Sequence, residues 1–203
     1  QCKKSKLGIF IHGSVNPNGA VTGRATHSFP NVAQVPSCGA EFGKECRELF
    51  TVPPGWVLLG SDASGLELRC LGHFMARYDG GAYIKEILEG DIHTANQKNA
   101  GLAERSQAKT FIYAFLYGAG DAKIGSIVAP TKSVGYQRKI GKALKEKFLR
   151  NIPALKKLQD KVQEAAKRGF IRGLDGRKVY IRSAHAALNT LLQSAGALVC
   201  KMW

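Results

Sequence analysis

One short stretch of the chain combines cations and phenols at a regular spacing. Residues 105–118 read RSQAKTFIYAFLYG, which places Arg105, Lys109, Tyr113 and Tyr117 at four-residue steps. Because an α-helix turns once in 3.6 residues, these side chains drift by only about 120° and share one broad face. That face could hold a polyphosphate at its cationic end and stack on a planar base at its phenolic end. Each residue alone could be a solvated or half-buried side chain, but the joint pattern favours nucleotide binding.

A carboxylate and an imidazole are further candidates for chemistry. Asp62 ends the almost wholly apolar run VPPGWVLLGSD, which predicts a short strand buried on both faces. A carboxylate there is costly unless a cation meets it, so Asp62 is either a helix N-cap or ion-pair partner, or a Mg²⁺ ligand. His93, in GDIHT, could donate a hydrogen bond near a phosphate, although a single His is more often structural.

The elements that must position these side chains follow from hydrophobic periodicity. A hairpin is predicted from LGIFIHG and AVTGRATHS, because the turn-forming NPNG separates them. Apolar residues then recur at steps of three and four from residue 64 to the break at Asp79, which predicts a helix. A second helix is predicted through AYIKEILEG.

The following segment is also predicted to be helical. Asp91 is expected to cap a helix over IHTANQKNA, and Glu104 to lie in the first turn of the helix that carries the four-residue pattern. Residues 133–169 predict a long helix interrupted near Pro153. Two elements complete the chain, a strand and a strongly apolar helix: LDGRKVYIRS and AHAALNTLLQSAGALVCKMW.

Charge is unevenly distributed along the chain. The net charge is +15 over 203 residues, and residues 123–182 carry 17 basic and 4 acidic side chains. This concentration predicts a polyanionic partner, in the first place nucleic acid. The five cysteines form no CxxC pair and the histidines complete no zinc spacing, so a reducing compartment is expected. No apolar run approaches the roughly 20 residues of a membrane span.

The candidate motifs together resemble those of a known family. DASGLELR resembles motif A of family A DNA polymerases, the group of bacterial DNA polymerase I and certain bacteriophage replicative enzymes, and RSQAKTFIYAFLYG resembles their motif B. VTGRATHSFPNVAQVP is similar to the segment that grips primer and template, and LNTLLQSAGALVCKMW to the helix before the last catalytic motif. The resemblance is strongest to the bacteriophage branch.

This resemblance implies an α+β, mostly helical fold, in which fingers helices join part of an antiparallel palm sheet. Residues 1–78 would form the first part of the palm, 79–175 the fingers, and 176–203 the return to the palm. The family's second catalytic aspartate follows the final helix, and no acid of this chain is a convincing substitute. We therefore expect a truncated "right hand", a palm and fingers portion that is inactive alone.

The resemblance also implies roles for single residues. Asp62 and the backbone carbonyl of Ala63 would bind metal, in a complete enzyme that uses two Mg²⁺ ions. Arg105, Lys109 and His93 would contact the triphosphate of the incoming dNTP. Lys109 would also be a candidate proton donor to the departing pyrophosphate.

The sugar, template and duplex contacts are implied in the same way. Glu67 would lie against the sugar, where its bulk disfavours a 2′-hydroxyl, and Tyr113 would lie beside the same sugar. Tyr117 would stack at the templating position. Five further residues would bind DNA by reading the minor groove of the nascent duplex: Arg24, Asn31, Gln34, Asn189 and Gln193.

The implied function is template-directed transfer of a nucleotide from a dNTP to a primer 3′ end. Two alternatives remain: a single-subunit RNA polymerase, for which a small residue is expected in place of Glu67, and a noncatalytic or split-enzyme module that binds nucleic acid. The expected partners are primer–template DNA and dNTPs, with a complementary polymerase chain or a processivity factor as a further candidate and no membrane. The expected location is the cytoplasm of a bacterial host cell.

Overall fold

The computed structural model describes residues 2–5 and 8–203, and it divides the chain into two compact units, Gln1–Ser64 and Gly65–Trp203. The N-terminal unit contains short antiparallel hairpins. Strand β1 (Cys2–Ser5) pairs with β2 (Gly8–Ile11), and β3 (Ser14–Asn16) pairs with β4 (Thr26–Ser28). A 3₁₀ turn (Val32–Gln34) and the short helix α1 (Gly43–Glu48) follow.

The predicted hairpin between LGIFIHG and AVTGRATHS is wrong in its first strand. Within LGIFIHG, Gly8–Ile11 form β2, which pairs with β1, while the strand that pairs with β4 is β3. Leu7 lies outside the described residues. Only two residues connect β1 to β2, and a short connection costs less loop-closure entropy than a long one. Strand β2 therefore pairs with the adjacent β1, and the NPNG sequence begins at Asn16, the last residue of β3.

The apolar run that ends at Asp62 is not a buried strand, contrary to prediction. Residues 55–62 have no regular secondary structure, and Val57, Leu58 and Leu59 are 88%, 77% and 90% exposed. A strand needs a neighbour for its backbone hydrogen bonds, and no segment within the described ranges pairs with this run. Its apolar composition alone did not provide that neighbour.

The C-terminal unit is mostly helical, and the predicted helices are confirmed. Its eight α-helices in the described chain are α2 (Leu66–Asp79), α3 (Ala82–Glu89), α4 (Ile92–Ala100), α5 (Arg105–Leu116), α6 (Asp121–Ser126), α7 (Val134–Asn151), α8 (Pro153–Ala166) and α9 (Ala187–Met202). Pro153 separates α7 from α8 because proline suits the first turn of a helix but not its interior. The predicted strand is β6 (Lys178–Tyr180), and it pairs with an unpredicted strand, β5 (Phe170–Arg172).

The core of this unit packs α5 against its neighbours. Phe111 on α5 and Phe148 on α7 are fully buried, and their ring centroids lie 5.1 Å apart at 84°. Phe115 adds a second edge-to-face contact with Phe148 at 5.4 Å, a favourable geometry for aromatic pairs. One side of α5 is thereby fixed, which leaves its opposite side available for function.

The predicted α+β, mostly helical fold is confirmed. The sheets of the described chain are three separate two-stranded hairpins. The palm and fingers borders at residues 78 and 175 stay a prediction, since the division between compact units falls at residue 64. No helix among the described residues combines the length and apolar character that a membrane crossing requires.

Candidate nucleotide-binding site

Helix α5 carries the four-residue pattern on the side opposite the core. Ala108, Phe111 and Ile112 are buried, whereas Arg105 and Lys109 are exposed. This division confirms that one helix separates an apolar side from a cationic side, as helical periodicity predicted. Glu104 occupies the N-cap position, just before the first turn where it was expected, and its carboxylate accepts a hydrogen bond from the Ser106 hydroxyl at 2.9 Å.

The C-terminal end of α5 is closed by a Schellman motif. The helix ends at Leu116, the Gly118 amide donates to the carbonyl of Phe115 at 3.0 Å, and the Ala119 amide donates to the carbonyl of Ala114 at 2.9 Å. Gly118 has φ +73°, and a Cβ there would lie 3.0 Å from the carbonyl oxygen of His185. Glycine is therefore required both by backbone conformation and by close approach.

The two phenols lie together at this end. Tyr117 is the C-cap residue rather than part of the helix, yet its ring centroid remains 6.4 Å from that of Tyr113. The Tyr117 hydroxyl donates to Oε1 of Glu67 on α2 at 3.4 Å. Burial, and then the nearby Glu67 carboxylate, raise the pKa of Tyr113. The structure thus brings together the three residues predicted to surround the sugar and the templating base.

The N-terminal end of α5 is held by an ion pair. Arg105 Nε donates to Asp91 Oδ2 at 2.7 Å, and Arg105 Nη2 donates to Asp91 Oδ1 at 3.0 Å. Asp91 is also the predicted N-cap of α4, since its carboxylate accepts from the backbone amides of His93 and Thr94. Hydrogen bonds from Arg105 and then from Thr94 hold the pKa of Asp91 well below its ordinary value.

His93 lies beside this ion pair. Its side chain is half-buried, and its Nδ1 has no hydrogen-bond partner among the described residues. Burial lowers the pKa of His93, and the neighbouring Arg105 lowers it further, so the imidazole is neutral at pH 7. A neutral imidazole carries one N–H donor, which is the group required for a hydrogen bond to a phosphate oxygen.

Lys109 differs from Arg105 in having no acidic partner among the described residues. Its side chain is exposed, and no ion pair to it occurs in the described part of the chain. Lys109 therefore presents a full positive charge one turn beyond Arg105. Together with His93, the two cations form a donor-rich region between the N-terminal ends of α4 and α5, which share a packed contact.

Asp62 belongs to the N-terminal unit and is exposed. It does not cap a helix, because α2 begins at Leu66 with Gly65 as its N-cap, and no ion pair involves Asp62 in the described chain. The described residues contain no group of three or more His, Cys, Asp or Glu side chains that could hold a metal ion. One unpaired carboxylate nonetheless fits Mg²⁺, which commonly takes one or two protein carboxylates and completes its shell with water and phosphate.

The five predicted minor-groove residues occupy two regions. Arg24, Asn31 and Gln34 are exposed in the N-terminal unit, where the Asn31 side chain accepts a hydrogen bond from the Ala33 amide at 3.2 Å. Asn189 and Gln193 are half-buried on α9, one helical turn apart. Their role in DNA binding stays a prediction.

One partner in the site was missed by sequence reasoning. Asp91 was expected only to cap α4, and nothing in the sequence links it to Arg105, fourteen residues later. The pairing depends on how α4 and α5 pack, which no local pattern encodes. An acidic helix cap fourteen residues before an arginine is a weak hint at most.

Comparison with known proteins identifies the family of this chain. The family model for DNA polymerase family A matches residues 2–203, and the chain therefore belongs to that family. The chain is 57% identical over 217 aligned positions to the DNA-directed DNA polymerase of Enterobacteria phage T3, and equally to that of Escherichia phage T7. Each alignment covers 95% of this chain and 30% of the relative. The predicted resemblance to the bacteriophage branch is confirmed.

A solved structure supports the fold. The POL domain of Pol1 from M. smegmatis, in a complex with DNA primer-template and dNTP, matches with a TM-score of 0.70 and 22% identity. The match covers 94% of this chain and 36% of that chain. This chain thus spans about a third of the length of the relatives it matches.

Proposed function

We propose that this chain forms part of a DNA-directed DNA polymerase that transfers a nucleotide from a dNTP to the 3′ end of a primer. The observation that carries the proposal is the exposed side of α5, where cations lie at one end and two phenols, one of them bonded to Glu67, lie at the other. Family membership supports it. Its place of action would be DNA in the cytoplasm of a bacterial host.

The cationic end would bind the triphosphate. Phosphoryl transfer requires of a protein mainly positioning and charge neutralisation. Lys109 offers a mobile ammonium that can also give a proton to pyrophosphate, Arg105 offers a planar set of donors, and His93 offers one neutral N–H. These three groups would bind the phosphates without requiring that any of them change charge first.

The phenolic end would select the sugar and support the template. Tyr113 and Glu67 would line the sugar position, where a 2′-hydroxyl would meet the Glu67 side chain. Tyr117 would stack on the templating base, and stacking on an aromatic ring contributes about 1 to 3 kcal/mol whatever the base. The hydrogen bond to Glu67 fixes the Tyr117 hydroxyl, so sugar selection and template stacking would share one carboxylate.

Magnesium and DNA are the further ligands of this proposal. Asp62 and the Ala63 carbonyl would hold Mg²⁺, which in two-metal enzymes stabilises the attacking and leaving oxygens. Arg24, Asn31, Gln34, Asn189 and Gln193 would contact the minor groove, where hydrogen-bond acceptors are alike for all correct pairs. The basic helices α7 and α8 would attract the polyanion from a distance.

Nucleotide selectivity tests the proposal directly. We expect the 203-residue chain to bind a Mg-dNTP more tightly than the matching Mg-rNTP, as measured by isothermal titration calorimetry. Glu67→Ala should reduce this difference in affinity between the two nucleotides. Glu89→Ala is the matched control, because Glu89 is an exposed glutamate on α3 whose lysine partner lies 3.9 Å away.

Two outcomes would replace the proposal. A preference for the rNTP would favour the RNA polymerase alternative. DNA binding that falls steeply with salt, by about 0.9 log units per phosphate contact for each log unit of salt, together with no nucleotide binding, would favour a noncatalytic module.

A further inference from the structure

The N-terminal ends of α4 and α5 are joined through one carboxylate. Asp91 receives two hydrogen bonds from Arg105, two from the backbone amides of His93 and Thr94, and one from the Thr94 hydroxyl at 2.8 Å. These donors belong to both helices, so the orientation of the carboxylate is fixed from several directions. An ordinary surface ion pair, held only by two long side chains, lacks this support.

The geometry leaves part of Arg105 unused. A guanidinium has five N–H donors in one plane. The bonds to Asp91 engage Nε and one hydrogen of Nη2, so three donors remain, the second hydrogen of Nη2 and both hydrogens of Nη1. The Arg105 side chain is 55% exposed, which leaves these donors accessible to an anion.

We propose that Asp91 is a positioning residue for the incoming triphosphate: it grips one edge of Arg105 and thereby directs the other edge toward the phosphates. This inference rests on the proposed function. It adds a role for a residue that would act through Arg105 and that links Arg105 by hydrogen bonds to the helix that carries His93.

Two effects of Asp91 on anion binding oppose each other. Its negative charge repels a triphosphate, but the pair is exposed, with Asp91 at 45%, so solvent and salt screen the repulsion. Its orienting effect removes the cost of immobilising a long, rotamer-rich side chain at the moment of binding. The proposal requires the orienting effect to be the larger, so removal of the Asp91 charge is expected to weaken triphosphate binding rather than strengthen it.

Asp91→Asn separates orientation from helix capping. Asparagine caps helices about as well as aspartate, but it cannot accept a charged bidentate bond from arginine. We expect about a three- to ten-fold loss of Mg-dNTP affinity, with less than about a two-fold change for the corresponding dNMP. A general structural defect would weaken both ligands. Urea unfolding of the variant shows whether the fold is retained.

A double-mutant cycle tests whether Asp91 affects dNTP affinity through Arg105. Lysine at position 105 keeps the charge but cannot make the bidentate contact, so Asp91→Asn is expected to change dNTP affinity by less than about two-fold in an Arg105→Lys background. Glu89→Gln is the charge-matched control, because it removes a negative charge two residues before Asp91 in the chain, and the ion-pair partner of Glu89 is Lys85 rather than Arg105.

The outcomes distinguish this inference from the proposed function. If the unmodified chain binds no dNTP, both fail. If it binds dNTP and Asp91→Asn binds equally well or more tightly, or if the loss is unchanged in the Arg105→Lys background, only the positioning role of Asp91 is overturned.

Discussion

The two ends of α5 hold their functional side chains by different means. At the N-terminal end, Arg105 is exposed and is held by charge and hydrogen bonds to Asp91. At the C-terminal end, Tyr113 is half-buried, and the chain leaves the helix through a glycine that no other residue can replace without strain. The N-terminal end is positioned by solvent-exposed polar contacts, and the C-terminal end mainly by packing and backbone geometry, to which the Tyr117 hydrogen bond to Glu67 is added.

This difference suits the two ligands proposed for the site. A triphosphate must bind and leave in each cycle, and exposed cations in water allow that exchange. A templating base needs a flat surface in a constant place, which buried neighbours and a fixed turn supply. Both ends depend on the same buried side of α5. Substitutions at that side and at each end, together with changes of salt and pH, can therefore separate what each part contributes to stability and to binding.

The largest expected effect is on the buried side that both ends share. Phe111→Ala removes a fully buried ring that contacts Phe148 at 5.1 Å, and we expect a loss of about 3 to 5 kcal/mol in the free energy of unfolding. The loss is measured by urea titration, with unfolding monitored by the circular dichroism signal of the helices. Tyr136→Ala, at a position 48% exposed on α7, is the control and should change stability by about 0.5 kcal/mol or less. Equal losses in the two variants would show that α5 is not anchored through Phe111.

The next largest effect is at the C-terminal turn. Gly118→Ala places a Cβ at φ +73° and 3.0 Å from the His185 carbonyl oxygen, and we expect it to destabilise the fold by about 1 to 2 kcal/mol. Gly135→Ala is a matched control, because that glycine lies within α7 with no atom near its potential Cβ. Alanine there should stabilise by about 0.4 to 1 kcal/mol. The same sign of change in both variants, measured by thermal or urea unfolding, would contradict the packing account of this end.

Salt concentration should affect ligand binding differently at the two ends of α5. Lys109→Ala is expected to weaken dNTP binding most at low ionic strength, since an exposed charge is screened by salt. Tyr117→Leu should weaken primer–template binding by about 1 to 3 kcal/mol at every salt concentration, because stacking is not a charge effect. Fluorescence anisotropy and calorimetry between low and high salt compare the two slopes. If the affinity losses of Lys109→Ala and Tyr117→Leu depended on salt to the same extent, the two ends of α5 would not differ in the way described.

The smallest effect is the pH dependence of stability at the N-terminal end. The pKa of His93 lies below its ordinary 6.5, so the unfolded chain binds that proton more tightly, and stability should rise as the pH is raised through the window just below 6.5. The pKa of Asp91 lies below its ordinary 3.8, so the contribution of Asp91 is fully present above 3.8 and is lost as the pH falls below it.

Substitution separates these two windows. His93→Gln should remove the change just below pH 6.5, and Asp91→Asn should remove the change below 3.8, each followed by urea unfolding across the pH series. If neither substitution changes the pH dependence of stability in its own window, other titratable groups determine how the stability of this region depends on pH.

Several local features were predictable from the sequence because they depend on neighbours along the chain. The period of α5, the Asp91 cap of α4 and the break at Pro153 all follow from interactions within one or two helical turns. The family was identified on the same basis, because its motifs are short and contiguous.

Other features could not be predicted because they depend on partners distant in sequence. Apolar composition predicted a buried strand before Asp62, but Leu59 is 90% exposed, since no described segment pairs with this run. The predicted partner of β2 was also wrong. An alternating apolar and polar pattern indicates a strand, but it does not indicate which other strand pairs with it.

The sequence by itself determined which side chains of α5 share a face, since helical geometry depends only on position along the chain. Tertiary structure decided what each of them contacts. The Arg105 bond to Asp91 and the Tyr117 bond to Glu67 cross fourteen and fifty residues of sequence, and they exist because packing of the helices brings their side chains within hydrogen-bond distance.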